Sequence, residues 1–258
     1  MTGQRTLAEL VAEADAQPVA GWDFSWLEGR ATEERPAWGY SRLLRKRLAG
    51  VRAVLDIQTG GGEVFAGALR DCDRAPAVVA ATESWAPNVA LARRALAPWH
   101  GSVVQADDYG GLPFRSDSFD LVVSRHPTVA VWTEVAHVLA PGGAYLSQQV
   151  GPGTNRELTD FMMGPQEVSQ ARSPQRAVSA ARAAGLDVID LREAALRVEF
   201  FDVGAVVYFL RKVLWTVPGF TVAGYAGQLA RMHAHIAEHG SFVSHAQRFL
   251  IEARKPAD

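Results

Sequence analysis

Cysteine is nearly absent: the 258-residue sequence has one, Cys72. A single thiol excludes an intrachain disulfide and any cysteine-based zinc cluster, and it suits a reducing cytoplasm, the expected location. An excess of one charge is missing too. Lys and Arg number 26 against 28 Asp and Glu, a net charge of −2. That balance gives no global footprint for nucleic acid or an anionic membrane, so neither is expected as a partner. No uninterrupted apolar run approaches the ~20 residues of a membrane span. The first 20 residues carry acids and no long apolar core, so they do not read as a secretory leader. Repeats, low-complexity tracts and linkers are also lacking, and one domain over residues 1–258 is expected. What is present, 48% hydrophobic and 21% charged residues, is enough for one sizeable core.

The stretch Val51 to Phe65 is the most informative. Val54, Leu55 and Ile57 read as a buried strand, Asp56 sits near its end, and Gly60, Gly61 and Gly62 follow. Glu63 to Leu69 reads as the start of a helix. Strand, glycine turn and helix N-terminus together bring backbone N–H groups close to a ligand. A nicotinamide-binding crossover would show G-x-G-x-x-G and an acid about 20 residues on. Here the acid precedes the glycines, and no glycine stands three places after Gly62. An acid at that point repels a pyrophosphate and attracts the ammonium of an amino-acid tail.

Ahead of this motif, Thr6 to Glu9 has capping-box spacing, and Leu7, Leu10, Val11 and Ala14 share a helical face. An aromatic cluster follows (Trp22, Phe24, Trp26, Trp38, Tyr40), which reads either as a cap over the site or as an anchor for N-terminal helices. Ser41 to Ala49 is a basic helix. After the motif the chain alternates in the βαβα manner. Strands are expected at Ala77 to Ala81, Val103 to Gln105, Phe119 to Val123 and Ala144 to Gln148, with helices at Pro87 to Ala97 and Val129 to Leu139. Pro141-Gly142-Gly143 reads as a turn. Leu186 to Leu191 is the expected sixth strand and Phe242 to Ala253 the seventh. Between them lie Leu196 to Phe201 and two helices, Asp202 to Trp215 and Thr221 to His239.

Asp56, Glu83 and Asp107 fall at three successive strand ends, where open α/β sheets bind ligands. A carboxylate after the second strand can accept both ribose hydroxyls, and one after the third can accept from an adenine amino group. Glu83 is placed for the first task. Asp107 is the choice for the second, with Asp108 as the register alternative.

Asp56 to Glu63 resembles motif I of the class I S-adenosylmethionine (SAM) methyltransferases, usually D-x-G-x-G-x-G, with Gln58 where that family generally has its first glycine. Leu112-Pro113-Phe114, Asp117 to Val123 and Glu134 to Gly143 are similar to the small-molecule and ubiquinone-biosynthesis type. The resemblance covers residues ~50–150 and implies SAM as cofactor. It implies a doubly wound, mostly parallel, seven-stranded Rossmann-like α/β sheet. An N-terminal helical cap (1–50), a SAM-binding core (51–150) and a helical lid inserted between strands six and seven (202–240) complete the expected layout. Candidate cofactor contacts are Asp56, Gln58, Gly60, Gly62, Glu83, Ser84, Asp107, Asp108 and Ser124.

A sulfonium methyl is already activated, so the protein has chiefly to hold a nucleophile in line behind it. A general base is optional. His126, just after the fourth strand, is the candidate; the alternative is a loop histidine that lines the pocket. Candidate acceptor contacts are Trp22, Trp26, Tyr40, Arg125, Gln148, Tyr208 and Arg211. The acids at the strand ends are accounted for by SAM, and His233, His235 and His239 do not form one metal-binding face, so no metal is expected. Three readings compete: a small-molecule methyltransferase, an RNA or protein methyltransferase, and a non-catalytic SAM-binding protein. The first is favoured, acting as a monomer or homodimer.

Overall fold

Where the sequence alternates apolar runs with amphipathic segments, the computed structural model forms nine α-helices and eight strands among the residues it describes, 5–19, 21 and 23–257. In order these are α1 (Leu7–Asp15), β1 (Ala31–Glu33), α2 (Tyr40–Leu48), β2 (Ala53–Asp56), α3 (Glu63–Asp71), β3 (Val78–Glu83), α4 (Ala86–Leu96), β4 (Ser102–Gln105) and β5 (Phe119–Arg125). Then come α5 (Trp132–Val138), β6 (Leu139–Val150), α6 (Arg156–Met163), α7 (Pro174–Ala183), β7 (Asp187–Phe200), α8 (Val203–Lys212), α9 (Ala226–His239) and β8 (Phe242–Arg254). By packing, the chain divides into two compact units. One comprises residues 36–152, 170–194 and 248 onward; the remaining residues make the other.

The larger unit holds the strands in the order β8-β6-β5-β2-β3-β4. The pairs β2–β3, β2–β5, β3–β4 and β5–β6 are parallel, and β8 runs antiparallel to β6. Alternate residues of each strand serve opposite faces. Val54 and Leu121 join Leu44, Phe65 and Leu96 of α2, α3 and α4 on one side. Leu55 and Val122 join Val135 and Ala181 of α5 and α7 on the other. Helices on both faces of a parallel sheet make the doubly wound arrangement. Each fully buried side chain of this size contributes about 1.5–3 kcal/mol.

Three expectations need correction. There are eight strands rather than seven, because Ala31–Glu33 pairs antiparallel with the end of β7 at Val198 to Phe200. The segments read as separate, Leu186 to Leu191 and Leu196 to Phe201, belong to the continuous β7. Pro141-Gly142-Gly143 is also not simply a turn, since it lies inside β6, where the register against β5 shifts between Phe119 and Leu121. Gly143 permits the bulge: a Cβ there would stand 2.8 Å from Ala140 O and 3.1 Å from Phe119 O.

A polar tie holds α2 to β8. Arg47 donates two hydrogen bonds to the buried Glu252 carboxylate, at 2.9 and 2.7 Å. Removing the guanidinium leaves a buried carboxylate without its partner. Arg47→Ala should therefore lower unfolding free energy by about 2–3 kcal/mol, less than for a fully buried pair because Arg47 is half exposed. Denaturant unfolding would show it, and a loss under about 0.5 kcal/mol would contradict it.

In the smaller unit α1 starts with the expected capping box between Thr6 and Glu9. Gly204 of α8 lies against α1, where a Cβ would come within 2.7 Å of Leu10 O. Arg30 forks onto Asp202 at 2.8 and 3.0 Å, and Asp202 caps α8 by accepting from Ala205 N. No helix among the described residues is long and apolar enough to cross a membrane.

Candidate functional site

At the carboxyl end of β2 the chain turns sharply through Ile57 to Gly62. Ile57 N donates to Val123 O at 2.8 Å, and Thr59 N donates to Thr82 O at 2.9 Å, which ties the turn to β5 and β3. Gln58, Gly60 and Gly62 all have left-handed backbones, with φ of 57°, 64° and 82°. Only Gly60 faces open space, with nothing within 4 Å of a would-be Cβ. At Gly62 the same atom would stand 3.3 Å from Ala92 Cα of α4. One glycine thus leaves room for a ligand and the other lets two helices approach.

Two buried carboxylates flank this turn. Glu83, at the end of β3, accepts from Gly60 N at 2.8 Å and from Trp85 N at 3.0 Å. Asp56 accepts from the Thr59 hydroxyl at 2.6 Å. Burial, with the Glu83 charge nearby, raises the Asp56 pKa from 3.8 to about 7, against the lowering effect of the Thr59 bond. Beyond β4, Asp107 accepts from Tyr109 N at 2.8 Å and so shapes its own loop. Asp108 is the half-buried one, and both acids line a cleft with Gln58, Thr82, Leu112, Val129 and Val131. Glu134 of α5 holds the near side by accepting from Leu112 N at 2.8 Å.

Past β5 a second polar group forms. Tyr40 donates to Ser124 O at 3.1 Å, and the fully buried Ser124 hydroxyl bonds those of Tyr145 and Ser147 at 2.7 and 2.8 Å. Burial raises both phenol pKa values. Gln148 accepts from Trp38 Nε1 at 2.8 Å and meets His126 Nε2 at 2.9 Å. An indole N–H only donates, so it fixes the Gln148 oxygen on its own side and turns the amide N–H₂ toward His126. His126 Nε2 must accept, which places the imidazole proton on Nδ1. Burial, aided by the charges of Arg125 and Arg248, pushes the His126 pKa down to about 3.

The structure brings together Asp56, Gln58, Gly60, Gly62 and Glu83 around the turn. Ser84 contributes its carbonyl to Gln105 Nε2 at 3.1 Å. Arg125 is exposed. Trp26, Tyr208 and Arg211 belong to the smaller unit. There Trp26 packs on Tyr208 with ring centroids 4.9 Å apart, and Tyr208 donates to Asp23 O at 3.0 Å. Arg211 bonds Gln17 O at 3.1 Å, as well as Ala14 O and Asp15, at the end of α1. Trp22 lies outside the described residues. The sequence reading missed the supporting side chains Thr59, Thr82, Tyr145 and Glu134, and named Trp38 only as part of the aromatic cluster. A hydroxyl three residues after Asp56 was the only local signal among them. Among the described residues no group of three or more His, Cys, Asp or Glu is arranged to hold a metal ion.

Residues 54–143 match the family model described as a methyltransferase domain. No curated protein matches the chain in sequence. Solved structures do share its fold. The YcgJ protein of Bacillus subtilis is 18% identical over 84% of this chain and 98% of that one, with a TM-score of 0.58. A protein of unknown function from Deinococcus radiodurans is 18% identical over 87% and 90%, with a TM-score of 0.59. An S-adenosylmethionine-dependent methyltransferase from Mesorhizobium loti is 16% identical over 84% and 97%, with a TM-score of 0.50.

Proposed function

We propose that the chain is a methyltransferase of the class I fold, carried by the methyltransferase domain matched at residues 54–143, and that it binds SAM at the ends of β2, β3 and β4 and methylates a small-molecule acceptor. The observation that carries this reading is the pair of buried carboxylates flanking a glycine turn with open space over Gly60. Bound SAM would supply a methyl group already activated on a sulfonium. Asp56 would face its cationic amino-acid tail, Glu83 its ribose hydroxyls, and Asp108 its adenine amino group. Asp108 is preferred to Asp107 for that role because it is the more buried of the two.

The remaining task of the chain is to hold an acceptor in line and keep water out. His126 serves that task as a neutral, fixed imidazole. Its Nε2 lone pair is engaged by Gln148, and its low proton affinity makes it a weak base at neutral pH. Calorimetry should show binding of SAM and S-adenosylhomocysteine, and methyl transfer from labelled SAM should appear in a pool of small metabolites but not in RNA or protein. Absence of SAM binding would overturn the cofactor assignment, and labelling of RNA or protein alone would overturn the acceptor class.

Once an acceptor is in hand, His126→Ala should lower kcat less than about tenfold, below the range for loss of a general base. Because the folded pKa is depressed from 6.5, the imidazole stays neutral down to about pH 3. The pH profile between 5 and 8 should therefore carry no inflection that the mutation removes. A loss of 10² or more in kcat, with disappearance of a limb near pH 6–7, would assign His126 to proton transfer.

A further inference from the structure

Gln58 is the residue of the glycine turn to which the proposed reading gives no task. Its left-handed φ of 57° is one that glycine adopts freely and a long side chain resists. Both ends of its amide are bonded to the loop after β5. Oε1 accepts from Thr128 N at 2.6 Å, and Nε2 donates to Val129 O at 2.8 Å. The β2–β5 ladder ends with the bond from Ile57 N to Val123 O, and beyond it the Gln58 side chain ties the turn to the loop after β5. The same bond occupies the Val129 carbonyl, and α5 begins at Trp132 rather than at Val129 as its sequence suggests.

We propose that Gln58 is a positioning residue that latches the loop after β5 to the glycine turn. The latch sets the part of the cleft lining formed by Val129, Ala130 and Val131, a cleft that Asp108 and Leu112 also line. With one N–H and one lone pair of the amide committed to that loop, the side chain is held in place and not free to swing toward a ligand. Recognition of the ligand's polar tail passes to Asp56 and to backbone N–H groups. A large side chain at this position is thereby compatible with an open site, because it is held along the wall.

Only the affinity arm of the test rests on the SAM reading. Amide hydrogen exchange, followed by NMR, reads the latch itself. In Gln58→Gly the Thr128 amide should exchange about tenfold faster or more, and the Kd for S-adenosylhomocysteine should rise about tenfold, the scale of losing one or two net hydrogen bonds. The melting temperature should stay within a few degrees, since glycine relieves the left-handed backbone. Gln58→Glu keeps the acceptor for Thr128 and loses the donor to Val129. It should preserve Thr128 protection and lose less affinity, and it serves alone if the glycine variant does not fold. Unchanged Thr128 exchange in Gln58→Gly, or tighter binding in either variant, would overturn the latch. Failure of the wild type to bind S-adenosylhomocysteine would instead overturn the reading of the site, with the exchange result still deciding the latch.

Discussion

Replacing Glu83 by alanine should weaken SAM binding by about 10- to 150-fold, equivalent to about 1.5–3 kcal/mol for hydrogen bonds to a charged group. The carboxylate acts on both sides of the site. It receives Gly60 N from the glycine turn and Trp85 N from the start of the next loop. Without it two backbone donors lose their acceptor, so the turn loosens at the point where the ligand must lie. Glutamine is not a silent control, because its amide presents N–H₂ to one of two N–H groups. Both variants should therefore lose affinity on calorimetric titration, alanine more than glutamine. Removing this charge should also lower the Asp56 pKa, since Glu83 helps to raise it. Wild-type affinity in Glu83→Ala would remove Glu83 from the cofactor site.

The glycine turn and its flanking acids were legible because their chemistry is local. A strand, an acid, three glycines and a helix start fall within 15 residues, and each has a reason to be there that needs no tertiary contact. The parallel core followed for the same reason, from apolar runs punctuated by turns. What stayed hidden depends on partners far apart in sequence. Nothing near Trp38 announces that its indole will fix the Gln148 amide, 110 residues on, and through it the tautomer of His126. Nothing near Glu134 marks it as the acceptor for Leu112 N. The extra strand β1 is only three residues long and takes its stability from β7, so it left no periodic signal of its own. Asp107 and Asp108 show how one residue of register separates two readings. Proximity to β4 favoured Asp107; that its carboxylate accepts from Tyr109 N while Asp108 is the more buried of the two is turn geometry and burial, which spacing does not carry.

Asp56→Asn should make the free protein more stable at pH 8 while weakening SAM binding. The buried Asp56 carboxylate is surrounded by the Thr59 hydroxyl, the phenols of Tyr40 and Tyr145, and the Glu83 carboxylate, with no cation paired to it among the described residues. Its folded pKa, about 7, lies above the value of 3.8 for an unperturbed group. Between pH 4 and 7 the folded state therefore holds a proton that the unfolded state has released, so the contribution of this group to stability falls as pH rises through that window. The span corresponds to an upper limit on the order of 4 kcal/mol. An uncharged asparagine escapes that loss, and its advantage should be fully developed above pH 7 and absent near pH 4. Binding has the opposite sign. If the carboxylate faces the cationic tail of SAM, only its ionised form attracts the ligand, so affinity should rise about tenfold per pH unit below 7 and level off above. In Asp56→Asn that pH dependence should vanish and affinity at pH 8 should fall. Denaturant unfolding and calorimetry on the two proteins at pH 5, 6, 7 and 8 would measure both slopes. A wild-type stability that rises between pH 5 and 7 in step with the variant's would show that Asp56 is ionised throughout. A SAM affinity independent of pH in the wild type would place the ammonium elsewhere.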